Sequence, residues 1–212
     1  MMIASKKNID SMNRFKKPLL PIFDEKVIID LYEDYLDVEK QWENFFNRID
    51  VINLVIIGEA PLSKDKYIYN LEKNHDSGSS FLSKKDLKKC LRIYKKSEHL
   101  LEDEGKMELM VDLGIIIIEA FPYGLNEDKH ANSNFKNLSS KKKKQLFSET
   151  SSWHFYNKIK KIDSKTSPQT SYAFRYIGNM KDLNKLINID KEIHCLGGKS
   201  FEIDTKKLIS LI

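Results

Sequence analysis

The sequence predicts an α/β protein, a three-layer α-β-α sandwich around a central, mostly parallel four-stranded sheet. Two observations predict this fold class. Four short apolar segments rich in β-branched residues, at 51–57, 115–118, 171–177 and 192–196, alternate with longer segments whose apolar residues recur at helical spacing. Strands that alternate with helices form parallel sheets, and nearly continuous apolar strands are typical of a sheet buried on both faces.

The composition supports one globular domain and excludes several other classes. The chain has 212 residues, of which 41% are hydrophobic and 10% aromatic, enough to build one core. Counts of 8 Gly, 5 Pro and 2 Cys exclude collagen-like and disulfide-scaffold proteins. No segment approaches the ~18 apolar residues of a transmembrane helix. We therefore expect no membrane partner.

The N-terminal residues predict an arm followed by a single domain. Residues 1–23 are basic and end in a segment with Pro18 and Pro21, which favour an extended arm over a helix. The first residues lack the apolar segment of a secretory signal, and Cys90 and Cys195 lack metal-ligand spacing. We expect a basic arm at 1–23, one cytoplasmic domain at 24–212, no metal and no cofactor.

The first half of the domain reads as helix, strand and long loop. Asp24 is a candidate N-cap for a helix over 24–49, which has one apolar face and an acidic outer face. The first strand, over 51–57, stops at Gly58. A polar loop follows directly, so it lies at the end of a buried strand, and it extends to about residue 80.

Two helical segments lead into the second strand. Ser83, with Asp86 three residues on, predicts the capped start of one helix. Another helical segment runs from about residue 97 to Leu113. Gly114 is the residue type that commonly follows a helix, and the second strand begins directly after it.

The second half of the domain continues the alternation. Ser139 or Ser140 predicts the cap of a basic helix whose pattern continues to about Ile162. The third strand follows, then a short helix around 183–187 and the fourth strand. Thr205 predicts the cap of a last helix.

Charge is distributed unevenly along the chain. The total is +5, but residues 24–50 hold nine acidic against three basic residues, and residues 129–165 hold ten basic against two acidic residues. The densest run is Lys141 to Lys144. Either this run is a solvated helix face, or it faces the phosphates of a nucleic acid.

The segment after the first strand is the first candidate site. Ligands of parallel α/β sheets bind beyond the carboxyl ends of the strands. There Gly58 lets the chain leave the strand sharply, Pro61 stiffens the loop, and the carboxylate of Glu59 stands between them. A simple turn with Glu59 in solvent remains the alternative.

Residues 55–61, Val-Ile-Ile-Gly-Glu-Ala-Pro, resemble the first active-site motif of the uracil-DNA glycosylase superfamily, closest to the branches with Gly-Glu-Ala-Pro-Gly. The small-residue loop at 77–81 before a helix, and a second strand that ends in the polar Glu119, are also similar to that superfamily. The resemblance extends over roughly 51–200. It implies a DNA-repair hydrolase that flips a nucleotide out of DNA and breaks its N-glycosidic bond.

The resemblance also implies roles for individual residues. Glu59 would be the catalytic carboxylate that orients water, and the Ala60 N–H would donate to the base. Tyr67 or Tyr69 would stack on the base, unless they are ordinary core tyrosines. The other candidate substrate-binding residues are Gly58, Pro61, Glu119 and Phe121, and the candidate contacts to the nucleic-acid backbone are Ser79, Ser80, Lys141 and Lys142.

The sequence departs from the superfamily at three positions. Leu62 replaces the usual second glycine. The late His-Pro-Ser motif is absent, and His194 is the best catalytic substitute unless it is a strand residue. Glu119 replaces a base-reading Asn; if ionised it only accepts hydrogen bonds, so it is protonated, or it reads a donor edge, or the pocket does not take uracil.

These departures leave three functions open. The first is base excision from DNA. The second is a non-catalytic nucleic-acid or nucleotide-binding protein on the same fold. The third is hydrolysis of a free nucleoside or nucleotide. In all three the partner is a nucleic acid or another nucleobase-containing ligand.

Overall fold

The computed structural model describes residues 6–60, 69, 82–95, 105–124, 138–176, 178, 181, 183–197 and 203–212. The strands are β1 (Leu54–Gly58), β2 (Ile115–Glu119), β3 (Ser171–Tyr176) and β4 (Ile193–Gly197). The helices are α1 (Lys6–Lys16), α2 (Glu25–Arg48), α3 (Lys84–Lys95), α4 (Lys106–Leu113), α5 (Ser140–Thr150), α6 (Phe155–Ile162) and α7 (Thr205–Ser210). A single 3₁₀ turn, Asp163–Lys165, follows α6.

The four strands form one parallel sheet in the order β2-β1-β3-β4, with helices around it. This confirms the predicted α/β three-layer fold. Each observed strand lies within three residues of its predicted position. Every residue of β1 and β2 is buried, as their continuous apolar sequences predict.

Helix α2 covers the edge strand β2. Asp24 occupies the predicted N-cap position, although its side chain makes no capping bond. Trp42 is fully buried, and its indole N–H donates to the Ile117 carbonyl at 3.0 Å. This bond fixes the helix against β2, because a buried indole N–H needs a partner.

The N-terminal segment differs from its prediction. Residues Lys6–Lys16 form α1, so an extended arm is wrong for them. Phe15 and Leu19 are fully buried, and the ring of Phe15 lies 5.2 Å from that of Tyr32 and 5.0 Å from that of Tyr123. The physical reason is that both prolines come after the last residue of α1, where they do not interrupt its hydrogen bonds.

The predicted basic helix is two helices. Helix α5 ends at Thr150, and residues 151–154 form a turn before α6 begins at Phe155. The Thr150 hydroxyl donates to the Leu146 carbonyl at 2.8 Å, a local bond that competes with the helical ladder. His154, the last residue of this turn, and Phe155 are both buried.

Helix caps are confirmed at two positions and corrected at one. Ser83 caps α3, accepting from the Asp86 N–H at 3.1 Å, and Ser139 caps α5. Asp204, not Thr205, caps α7, because its carboxylate accepts from two backbone N–H groups of the first turn. The Thr205 hydroxyl instead donates to the Asp86 carboxylate at 2.8 Å, which ties α7 to α3.

The predicted helix over 97–113 is observed as α4 from Lys106 onward, and residues 96–104 lie outside the described part of the chain. Helix α4 ends at Leu113 and is followed by its C-cap Gly114, whose φ of 65° is left-handed. A Cβ there would lie 2.4 Å from the Val51 carbonyl oxygen, so only glycine fits. Within the described residues, no helix combines the length and apolar character needed to cross a bilayer.

Candidate functional site

The carboxyl ends of β1 and β2 bring the backbones of Glu59 and Glu119 to the same edge of the sheet. Gly58 and Glu119 are register partners in the parallel ladder. Beyond the strands, the Ala120 N–H donates to the Gly58 carbonyl and the Phe121 N–H to the Glu59 carbonyl, both at 3.0 Å. These bonds extend the ladder by two residues, so they fix the backbone of Glu59 next to Phe121.

Glu119 lies over Gly58 and away from solvent. Its side chain is 4% exposed. A Cβ on Gly58 would lie 3.5 Å from Glu119 Cγ and 3.7 Å from Oε1, which is ordinary van der Waals contact. The Glu119 side chain therefore packs directly over Gly58 at the sheet edge, where an added methyl group would still fit.

Glu59 forms an ion pair with α5. Lys143 Nζ donates to Glu59 Oε1 at 2.7 Å, and the two side chains are only 14% and 22% exposed. A charge-assisted hydrogen bond at this depth is stronger than a surface pair, because less water competes for it. The pair attaches the first turns of α5 to the loop after β1.

A cavity of about 300 Å³ adjoins this ion pair. Its wall has an apolar part from a phenylalanine and two leucines, and a polar part from four cationic lysines and a neutral serine. The lining residues are Phe121, Ser140, Lys143, Lys144, Lys181, Leu183, Lys185 and Leu186. Such a wall suits an anionic ligand that also carries an apolar part.

Of the predicted site residues, Phe121 lines this cavity and Glu59 reaches it through Lys143. Gly58 and Ala60, the chain neighbours of Glu59, are both buried, and Ala60 is 7% exposed. Glu119 is next to Gly58 but does not line the cavity wall. The structure therefore brings together the residues at the ends of β1 and β2.

Tyr69 lies in the core. Its ring is 1% exposed and stacks on Phe45 with the centroids 4.3 Å apart. Its hydroxyl donates to the Ile117 carbonyl at 3.2 Å, and burial raises the pKa of the phenol well above 10. In this structure the ring is not available to stack on a base, which corresponds to the core-tyrosine alternative.

His194 lies within β4, at the level of Ile56 in β1 and three residues before the carboxyl end of its strand. With strands ~4.8 Å apart and ~3.3 Å per residue, its Cα is roughly 14 Å from that of Glu59. Its Nδ1 lies 3.4 Å from the exposed carboxylate of Glu192. His194 is therefore a strand residue, and the structure does not bring it to Glu59.

The remaining predicted residues divide into two groups. Lys141 and Lys142 are exposed on α5, while Lys143 is turned inward. Pro61, Tyr67, Ser79 and Ser80 lie outside the described residues.

Sequence reasoning missed Lys143 as the partner of Glu59. A signal for it was present, since Lys143 precedes the buried Leu146 by three residues and the buried Phe147 by four. Residues at these spacings share one face of a helix. The inward position of Lys143 thus follows from the apolar spacing of α5, but its contact with Glu59 requires the tertiary structure.

A second group of buried ionisable side chains joins α2 to α6. Lys158 Nζ lies 2.6 Å from Glu39 Oε1 and 4.7 Å from the centroid of the Trp42 ring. His154 is 3% exposed, and its Nδ1 lies 3.7 Å from the same Glu39 oxygen. Burial lowers the pKa of His154 well below 6.5, and the charge of Lys158 lowers it further, so the ring is neutral.

Comparisons with known proteins do not identify a family. No family model matches the chain, and no curated protein or solved structure matches it either. Across the described ranges, no group of three or more His, Cys, Asp or Glu side chains is arranged to hold a metal ion.

Proposed function

We propose that the protein binds DNA or another nucleobase-containing ligand and hydrolyses an N-glycosidic bond at the carboxyl edge of β1. The observation that carries the proposal is the position of Glu59. Its carboxylate stands at the end of a buried parallel strand, held by Lys143 beside a cationic cavity. The resemblance of residues 55–61 to a glycosylase motif supports the same chemistry.

Glu59 has the role of orienting water. The water oxygen forms a bond to C1′ of the sugar, and the bond from C1′ to the base nitrogen breaks. The electron pair of that bond stays on the base, which takes up the proton released by the water. A fixed carboxylate near C1′ stabilises the positive charge that develops on the sugar.

A cavity lysine beside Glu59 supplies the positive charge that stabilises a departing base. A base that leaves as an anion is stabilised by cations and N–H donors at its position. An ionised Glu119 would oppose this, but its side chain is buried over Gly58 and does not line the cavity wall. Lys143 does line it and is paired with Glu59, so in this proposal it replaces the superfamily's base-reading Asn.

The test is base release from oligonucleotides that contain uracil or another damaged base. Alkaline treatment then cleaves the abasic strand, so each excision becomes a nick. Glu59→Gln should reduce excision at least about 100-fold, as expected for removal of a water-orienting base. Glu33→Gln, which neutralises an exposed carboxylate on α2, is the matched control and should excise at the normal rate.

Two outcomes contradict the enzymatic proposal. One is a folded wild-type protein that releases no base from any substrate, including free nucleosides and nucleotides in the same assay. The other is a Glu59→Gln variant that is as active as the wild type.

A second candidate function is binding without catalysis. It is favoured by the ion pair with Lys143, which occupies one oxygen of the only carboxylate that reaches the cavity in the described part of the site. Its signature is nucleic-acid binding that weakens steeply with salt, measured by filter binding, without base release. Salt-independent or absent binding contradicts this candidate.

A further inference from the structure

We propose that the lysine-lined cavity binds a terminal phosphate, the monoester group of a free nucleotide or of a phosphorylated strand end. The inference deepens the proposed function and rests on it for the base that accompanies the phosphate. It specifies the substrate class: a nucleotide held by its phosphate, with its sugar and base toward Glu59.

The charge of the cavity matches a phosphate monoester. Four lysine side chains line the wall, and Lys143 is paired with Glu59. Lys144, Lys181 and Lys185 have no acidic partner among the residues that the structure describes. A monoester carries about −1.5 to −2 at pH 7, whereas each phosphodiester of a strand carries a single charge. Three unpaired cations around one cavity therefore favour the monoester.

The shape of the cavity points to the same ligand. A volume of about 300 Å³ is at the lower end of small-molecule sites. Its cations converge from two segments, Lys144 on α5 and the pair Lys181 and Lys185 beyond β3. A groove for a continuous strand instead carries its charges in a track along the backbone. Convergent lysines in a small concavity suit one terminal group.

The neighbouring groups support an anion with an attached nucleoside. Ser140, in the first turn of α5, also lines the wall, so the positive end of the helix dipole adds to the lysine charge. Leu183, Leu186 and Phe121 supply the apolar wall for a base or sugar. Because the Phe121 N–H is bonded to the Glu59 carbonyl, this apolar wall is next to the proposed catalytic residue.

The experiment measures dissociation constants by calorimetry with the full chain. The probes are a deoxynucleoside, its 5′- and 3′-monophosphates, and a short oligonucleotide with and without a terminal phosphate. We expect at least one monophosphate to bind about tenfold or more tightly than the nucleoside. If the free nucleotide binds more tightly than the phosphorylated oligonucleotide, the natural source is a free nucleotide; the reverse order indicates a strand end.

A pair of charge-matched double variants locates the site. Lys181→Gln with Lys185→Gln removes two exposed cavity lysines and should weaken monophosphate binding about tenfold or more. Lys160→Gln with Lys206→Gln removes two exposed lysines elsewhere and should change it less than about twofold. All four side chains are exposed, so we expect both variants to fold, which thermal melting verifies.

The proposal is overturned if neither monophosphate binds more tightly than the nucleoside, or if both double variants weaken binding equally. Glu59→Gln separates this failure from that of the proposed function. It removes the carboxylate paired with Lys143, so it should bind the monophosphate at least as tightly as the wild type, whether or not it releases a base.

Discussion

Lys143 and Glu59 come from segments 84 residues apart and meet at 2.7 Å beside the cavity. The sequence alone indicated Glu59, because a carboxylate directly after a buried strand and before a proline stands where parallel sheets bind ligands. It could not indicate which of four consecutive lysines faces that carboxylate. The sequence also left open whether Tyr69 stacks on a base or lies in the core, because its burial depends on packing against Phe45 of α2.

We expect the buried His154 to make the stability of the protein depend on pH. Because its pKa is lowered in the folded state, the unfolded chain binds more protons below about pH 6.5. The free energy of unfolding should therefore fall as the pH drops below 6.5, by up to about 1.4 kcal/mol per pH unit from this residue. Denaturant unfolding at several pH values measures the slope.

His154→Gln should reduce this slope between pH 6.5 and 5, since glutamine does not titrate. His194→Gln, at a half-exposed strand position, retains His154 and should keep the slope. An unchanged slope in His154→Gln would show that other groups cause the acid sensitivity.

The secondary-structure elements follow from local patterns where burial is uniform. Strands β1 and β2 were predicted within three residues of their observed bounds. All of their residues are buried, and all have aliphatic side chains except the last residue of each strand, Gly58 and Glu119. Prediction failed where tertiary contacts decide. Helix α1 packs Phe15 into the aromatic core, and the break after Thr150 buries His154, neither of which shows in helical periodicity.

The junction between α4 and β2 depends on Gly114. Gly114→Ala should destabilise the protein by about 2–4 kcal/mol, because alanine is strained at a positive φ and its Cβ would collide with the Val51 carbonyl. Gly178→Ala is the control, since none of the described residues lies within 4 Å of the added Cβ. Urea unfolding compares the free energies of unfolding of the two variants. Equal values would contradict the requirement for glycine at position 114.

In the whole molecule, part of the uneven charge is neutralised internally. The acidic helix α2 and the basic helix α6 pair through Glu39 with Lys158 and Glu43 with Lys161. Lys165 Nζ donates to the Phe46 carbonyl at the end of α2 at 2.8 Å. The sequence separated the two charges by about a hundred residues, and only the fold shows that they face each other. Within the described part of the chain, three lysines of the cavity wall, Lys144, Lys181 and Lys185, have no acidic partner.

The difference between lysines with an acidic partner and the other lysines of the cavity wall predicts which of them affect nucleic-acid binding. A plot of log K against log salt concentration has a negative slope for nucleic-acid binding. Lys144→Gln should reduce the magnitude of this slope by about 1, because it removes one cation that displaces a counterion. Lys161→Gln should leave the slope unchanged, since Lys161 is already paired with Glu43. Filter binding across a salt series measures both slopes. Equal slopes for the two variants would contradict the prediction that Lys144 contacts the nucleic acid and Lys161 does not.

We propose that ligands bind at the carboxyl edge of β1 and β2. The most direct test is to map backbone amide chemical shifts of ¹⁵N-labelled protein on addition of a deoxynucleoside monophosphate. We predict the largest changes at Glu59, Ala60 and Phe121, in the first turn of α5 and around Leu183. Largest changes on α2, or in the groove between Arg14 and Trp153, would place the binding site elsewhere and contradict the claim.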